Sequence, residues 1–156
     1  MRSWMLSALK QKFIDAEPIA FHTQHPHDWL VWEPGAWAPP ATVTFSGPLS
    51  LQPPSKVGEA LAIALEPKAA PMVLGREAAD VTINDGTLSQ RHLQLTCADG
   101  KWFVSDLGSR NGSVLNGFKL STAPVALTSG AQLKVAQVFL TFYSGTGFLA
   151  RLQSRR

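Results

Sequence analysis

From Met72 to Tyr143 the chain is a regular succession of short apolar runs with no helical crossover between them, and this pattern leaves little room for anything but stacked sheets. The runs are Met72-Val73-Leu74, Val81-Thr82-Ile83, His92 to Cys97, Trp102-Phe103-Val104, Val114-Leu115, Val125-Ala126-Leu127, Gln132 to Val135 and Val138 to Tyr143. Each is short and rich in residues that suit a pleated surface. Asn84-Asp85-Gly86, Asp99-Gly100, Asn111-Gly112, Asn116-Gly117 and Ser129-Gly130 separate most of them with residues that tolerate the positive φ of tight hairpins. The fold class expected is all-β, an antiparallel β-sandwich. In the His92 run, Leu93, Leu95 and Cys97 point one way and Gln94 and Thr96 the other, so Cys97 reads as a small apolar core residue and not as a nucleophile.

At 156 residues and 45% apolar composition, the chain can bury one substantial core plus an appendage. The expected division is an N-terminal extension over residues 1–57, a core domain over 58–145 and a basic tail over 146–156. Within the extension, Met5, Leu9 and Phe13 recur four apart, predicting a helix over about 3–16 that docks on the domain; a membrane-surface helix would want a richer Lys/Arg face. Residues 21–40 concentrate His22, His25, His27, Trp29, Trp32 and Trp37 around one strand-like run, Asp28 to Glu33. The histidines lack a carboxylate or cysteine to finish a coordination shell and read as a solvated loop, while the tryptophans read as packing. Residues 46–57, with Pro48, Pro53 and Pro54, read as a linker. Ala60 to Leu65 combines helix-forming alanines with a short, Gly58- and Pro67-bounded length, and is taken as a strand.

The net charge of +3 is mild, and several of the basic residues sit at the chain ends, including Arg151, Arg155 and Arg156. That is no nucleic-acid stripe, though it suits an acidic or phosphorylated partner. A lone cysteine excludes an intramolecular disulfide and points to a cytoplasmic setting. The apolar stretch in the first ten residues is too short for a secretory or membrane segment, so neither export nor membrane insertion is expected.

Polar residues interrupt the strand pattern at Gly75-Arg76, at Ser89-Gln90-Arg91-His92, at Asp106-Leu107-Gly108-Ser109-Arg110-Asn111-Gly112 and at Asn116-Gly117. They supply hydroxyls, guanidiniums and an amide, the donors a phosphate dianion needs, and no acid–base pair. Taken singly, Arg76 is also an ordinary strand-end arginine, Ser89 a turn residue and Asn111-Gly112 a hairpin turn. In this order and spacing the four strings resemble the forkhead-associated (FHA) family, a resemblance covering roughly residues 58–145.

The resemblance implies a phosphothreonine-binding module that is not an enzyme, with no catalytic residue, cofactor or metal. By position it implies that Arg76 pairs with the phosphate, Ser89 donates its hydroxyl to it, Arg91 adds positive charge, Arg110 helps close over it and Asn111 holds the peptide backbone. Gln90 stands where the family often has Arg or Asn touching the peptide, a departure from the pattern. Gly75, His92, Gly112, Asn116 and Gly117 are implied to shape and brace the loops. The implied partner is a phosphothreonine-containing protein, a Ser/Thr kinase or its substrate, in a signalling role, with phosphothreonine favoured over phosphoserine by about 1 kcal/mol for a buried methyl. Two other classes compete: hydrolysis by Ser89 and His92, which lacks a nucleophile elbow and an orienting third residue, and a scaffold whose Trp-rich segment makes the contacts. A nucleic-acid module fits poorly, because basic and aromatic residues do not interleave.

Overall fold

The computed structural model describes residues 3–33, 49–51, 60–66, 71–77, 79–83 and 85–154, with only the backbone of 49–51. Trp37, Asn84, Arg155, Arg156 and most of the expected linker lie outside the described residues. The strands are β1 (Ser3–Met5), β2 (Asp28–Trp32), β3 (Leu49–Leu51), β4 (Leu61–Leu65), β5 (Met72–Gly75), β6 (Val81–Ile83), β7 (Leu93–Ala98), β8 (Lys101–Asp106), β9 (Ser113–Leu115), β10 (Phe118–Lys119), β11 (Val125–Ala126), β12 (Gln132–Val135) and β13 (Val138–Tyr143). Helices α1 (Leu6–Phe13), α2 (Pro18–Gln24) and α3 (Gly145–Leu152) complete the fold.

The expected sandwich is present: one sheet has the order β1-β4-β2-β13-β12-β9-β10, the other β11-β8-β7-β5-β6-β3. Most pairs are antiparallel, but β6 runs parallel to both β5 and β3. Asp80, just before β6, accepts the Val73 backbone N–H at 2.8 Å and so ties the β5–β6 connection back onto β5. Asn116 and Gly117 both have positive φ, 50° and 88°, and join β9 to β10 as the two-residue hairpin their identities predict.

Alternation sets which residues enter the core. Leu30, Trp32, Ile63, Leu65, Leu133 and Leu140 of the first sheet meet Met72, Leu74, Val81, Ile83, Leu93 and Leu95 of the second, all buried. Cys97 is only partly buried at the rim of this core.

Residues 28–32 and 61–65 are buried along nearly their whole lengths because β2 and β4 are covered on both faces. Behind them lies a second core, in which Leu9, Phe13, Phe21, Phe148, Leu149 and Leu152 of the helices pack on Trp29, Val31 and Ala62. The alanines of β4 are thus the small residues beneath a helical layer, and Ala64 lies opposite Trp29 across the β2–β4 ladder.

Leu49–Leu51, within the residues read as a linker, is the strand β3 paired to β6, and three further features differ from the sequence reading. The expected helix over 3–16 is shorter, because Ser3–Met5 adds to the sheet edge beside β4 and Leu6 N–H bonds Ala60 C=O at 2.8 Å before the helix turns in. His25 and His27 are not in a solvated loop: both are buried, with His27 4.4 Å from the Trp29 ring and His25 5.6 Å from Phe21, since β2 draws its flanks under the helices. The residues taken as a basic tail begin instead as α3, whose Ser144 N-cap accepts the Gly147 N–H and whose Phe148, Leu149 and Leu152 are buried. Arg151 grips Glu33 with both guanidinium nitrogens, 2.7 Å from Nη2 to Oε1, and also bonds the Tyr143 hydroxyl. That bidentate pair pushes the Arg151 pKa up and joins the last helix to the end of β2.

Candidate functional site

At one end of the sandwich the strand-end after β5, the loop from β6 to β7 and the loop from β8 to β9 close around an open pocket of about 580 Å³. Arg76, Ser89, Gln90, Arg91, Arg110 and Asn111 all line it, so every residue the sequence reading put in contact with a ligand comes to this one place. The backbone fixes their spacing. Arg76 N–H donates to Ser89 C=O at 2.9 Å, and Glu77 N–H to Gln90 C=O at 3.3 Å. The approach is so close that a Cβ on Gly75 would sit 2.0 Å from the Gln90 carbonyl oxygen, which restricts position 75 to glycine.

His92 is fully buried and braces the loops. Its Nδ1 accepts the Ser89 backbone N–H at 3.0 Å; the hydrogen-bond network therefore assigns the proton to Nε2, which donates to Gly112 C=O at 2.8 Å. Both ring nitrogens are spent on backbone, and neither is directed to the Ser89 hydroxyl. That hydroxyl oxygen accepts the Arg110 N–H at 3.0 Å, leaving its own proton to donate into the pocket.

The Ser109–Gly112 loop is folded by Asp106. Its carboxylate accepts the Ser109 N–H at 2.8 Å, the Ser109 hydroxyl at 2.6 Å and the Ser113 hydroxyl at 2.8 Å, while Ser109 Oγ takes the Gly112 N–H at 3.0 Å. Burial acts to raise the Asp106 pKa, but the Ser109 and Ser113 hydrogen bonds outweigh it and hold the carboxyl below its ordinary value. A depressed folded pKa contributes stability that is complete above the unfolded value, near 3.9, and lost as pH falls through the folded one. Asp106→Asn is therefore expected to lower stability at neutral pH by about 1.5–3 kcal/mol, the worth of bonds to a charged acceptor. In denaturant titrations the gap from wild type should shrink as pH falls below 4; a gap independent of pH would assign the effect to shape alone.

Thr87, which sequence reasoning passed over, also lines the pocket. Its C=O accepts the Asn111 side-chain amide at 2.7 Å, and its own N–H donates to Asp85 Oδ1 at 2.8 Å. The spacing Asp85-x-Thr87 is that of an Asx-turn and could have signalled it. Asn116 and Gly117 lie away from the pocket, in the β9–β10 hairpin, where Asn116 Oδ1 takes the Gln132 N–H at 2.8 Å.

Electrostatically the pocket is cationic. Arg76 has Glu77 at a loose 3.9 Å, and among the described residues Arg91 and Arg110 make no ion pair. Arg76 Nε is shielded from solvent and finds no acceptor among the described residues. Such an arrangement can hold an oxyanion through guanidinium and hydroxyl donors. Among the described residues no group of His, Cys, Asp or Glu is arranged to hold a metal ion, and no helix is long and apolar enough to cross a membrane.

Residues 72–136 match the family model for the FHA domain. Over 71 residues the chain is 32% identical to the FHA domain-containing protein FhaB of Mycolicibacterium smegmatis, covering 45% of each. It thus spans less than half the length of that relative. The sandwich resembles the FHA domain of the CT664 protein from Chlamydia trachomatis, with a TM-score of 0.54 at 16% identity over 75% of this chain and 97% of that one. It also resembles the N-terminal FHA domain from S. cerevisiae Rad53p, solved in complex with a phosphothreonine peptide, with a TM-score of 0.52 at 18% identity over 80% and 98%. At such identities the structural likeness is one of fold, while the family match runs through the very strands and loops that form the pocket. Residues 72–136 are thus similar to the forkhead-associated (FHA) domain in sequence, and the sandwich that holds them has the fold of solved FHA domains.

Proposed function

We propose that the chain is a phosphothreonine-peptide-binding module that works with proteins phosphorylated by Ser/Thr kinases, and that it acts by binding and not by catalysis. The observation that carries this is the convergence of the Arg76 guanidinium, the Ser89 hydroxyl and the Asn111 amide on one cationic pocket whose walls are pinned by backbone hydrogen bonds. In this reading Arg76 pairs with the phosphate, Ser89 donates to a second phosphate oxygen, Arg110 and Arg91 add positive charge, Gln90 touches the peptide and Asn111 holds its backbone. Preorganised donors of this kind bind a dianion strongly because little ordering is left to the moment of binding.

Hydrolysis by Ser89 and His92 is disfavoured, since both His92 nitrogens face backbone groups. A partner surface built on the described tryptophans of the 21–40 segment is disfavoured too, because Trp29 and Trp32 are buried in the two cores.

Binding of the full chain to a degenerate phosphothreonine peptide library, beside phosphoserine and unphosphorylated versions, tests the reading. The expected result is phosphate-dependent binding with a roughly fivefold preference for phosphothreonine, the worth of one buried methyl. Absence of binding by the folded protein to every phosphorylated library would overturn it.

A further inference from the structure

The helices cover the outer face of the first sheet only over β1, β4, β2 and part of β13, through Trp29, Val31, Ala62 and Tyr143. Among the described residues no helix covers the rest of that face, over β12, β9 and β10, which holds a groove of about 490 Å³ whose lining includes Val114, Lys134 and Phe139. The strand registers pair Lys119 with Val114, Val114 with Lys134, and Lys134 with Phe139. Cross-strand partners share a face, so these four side chains form one row across four strands.

The row is basic at two positions and apolar between and beyond them. Lys134 lies over the Phe139 ring, 5.8 Å from its centroid, and Phe139 is 41% exposed. Among the described residues neither Lys119 nor Lys134 has a carboxylate partner. The nearest acid in the groove is Glu33, next to Phe139, and its charge is taken by Arg151 and the Thr141 hydroxyl.

This row also adjoins the phosphate pocket. The Lys119 side chain leans toward Gly112, its Cε 3.9 Å from where a Cβ there would sit, and Gly112 follows the pocket residue Asn111. Two residues beyond Lys134, Ala136 N–H bonds Gly112 C=O, and Gln137 N–H reaches the Thr87 hydroxyl. Val114 stands two residues down β9 from Gly112, about 7 Å at strand rise. An extended peptide covers about 3.4 Å per residue, so one leaving the pocket over Asn111 would reach Val114 after about two residues and the lysines within the next few.

We propose that the Lys119–Val114–Lys134–Phe139 row is a second subsite, selecting partners whose phosphothreonine is flanked by acidic side chains. The inference rests on the phosphothreonine reading above and adds the class of flanking sequence. The two lysines lie within about one Debye length of such a peptide, and the Val114 and Phe139 surfaces between them accept its aliphatic carbons.

The test uses fluorescence anisotropy on the full chain with two peptides sharing one phosphothreonine core, one carrying Asp and Glu three to seven residues to either side, the other Ser and Gly. Wild type should bind the acidic-flanked peptide roughly fivefold more tightly, in line with two exposed charge pairs. Lys119→Glu/Lys134→Glu should abolish that preference and leave the neutral-flanked peptide within about twofold. Lys119→Gln/Lys134→Gln should do the same without introducing repulsion, and Lys101→Glu, at the far end of the sandwich beyond the β7–β8 turn, should keep the preference. Equal affinity of wild type for both peptides, persistence of the preference in the double variants, or its equal loss in Lys101→Glu would each overturn the subsite. If the neutral-flanked peptide binds and only the preference is missing, the subsite alone fails; if no phosphorylated peptide binds, the underlying reading fails with it.

Discussion

Arg76→Ala is expected to weaken phosphothreonine-peptide binding by about a hundredfold or more while leaving the melting temperature nearly unchanged. Truncating one partner of a hydrogen-bonded charge pair costs about 2–5 kcal/mol, and each 1.4 kcal/mol is tenfold. Arg76 should show the full effect because its backbone is locked to Ser89 and its side chain is half withdrawn, with 39% exposure. Arg91 and Arg110 are exposed, so their alanine variants should lose only a few-fold each, and less at high salt. Isothermal titration with one phosphopeptide across the three variants ranks them. Near-wild-type affinity in Arg76→Ala would move the phosphate toward the other two guanidiniums, and the proposed role of Arg76 would fall.

The second large effect is on stability and lies far from the pocket. Trp29→Ala is expected to cost about 3–5 kcal/mol, the range for removing a buried large aromatic side chain. Trp29 is fully buried, stacks on Phe148 at 4.2 Å and joins the helical layer to the middle of the first sheet. In a chain of this length the loss corresponds to a fall of about 10 °C in melting temperature. A denaturant titration with unchanged slope would confirm that the native state itself is weakened. A loss below about 1 kcal/mol would mean that the helical layer contributes little to the sandwich.

That second result bears on how far the sandwich extends beyond the segment similar to the FHA domain. The family match begins at residue 72, yet β2 and β4 lie inside the first sheet, with β2 paired to β13 from Trp29↔Tyr143 through Trp32↔Leu140. A fragment beginning at residue 72 would leave the β13 edge and one wall of the core open to water. Residues well ahead of the matched segment are therefore part of the sandwich that presents the pocket.

The local chemistry of the sequence was enough to determine the sandwich, and the resemblance of its loop strings to the FHA family pointed to most of the residues that line its pocket, though not to Thr87. Short alternating runs can bury only one face, and the positive φ of Asn116-Gly117 admits few other residues, so strands and hairpin turns follow from neighbouring positions. Gly75-Arg76, Ser89 to His92 and Ser109 to Gly112 were legible for a related reason: a close backbone approach and hydrogen-bonded loops demand particular residue types at fixed spacing.

Tertiary structure decided what local pattern leaves open. Ala136 carries a positive φ of 55° in a turn that no Gly or Asn announces, and its N–H bonds Gly112, on another loop. Phe148, Leu149 and Leu152 make too brief a stripe to mark a helix until the Trp29 and Phe21 rings supply the surface it covers. The burial of His25 and His27, the continuous burial of β2 and β4, and the alignment of Lys119 with Lys134 all depend on residues far apart in the chain. Propensity and turn chemistry act over a few residues; which face of a strand is covered, and by what, is settled only when distant segments compete for the same apolar surface.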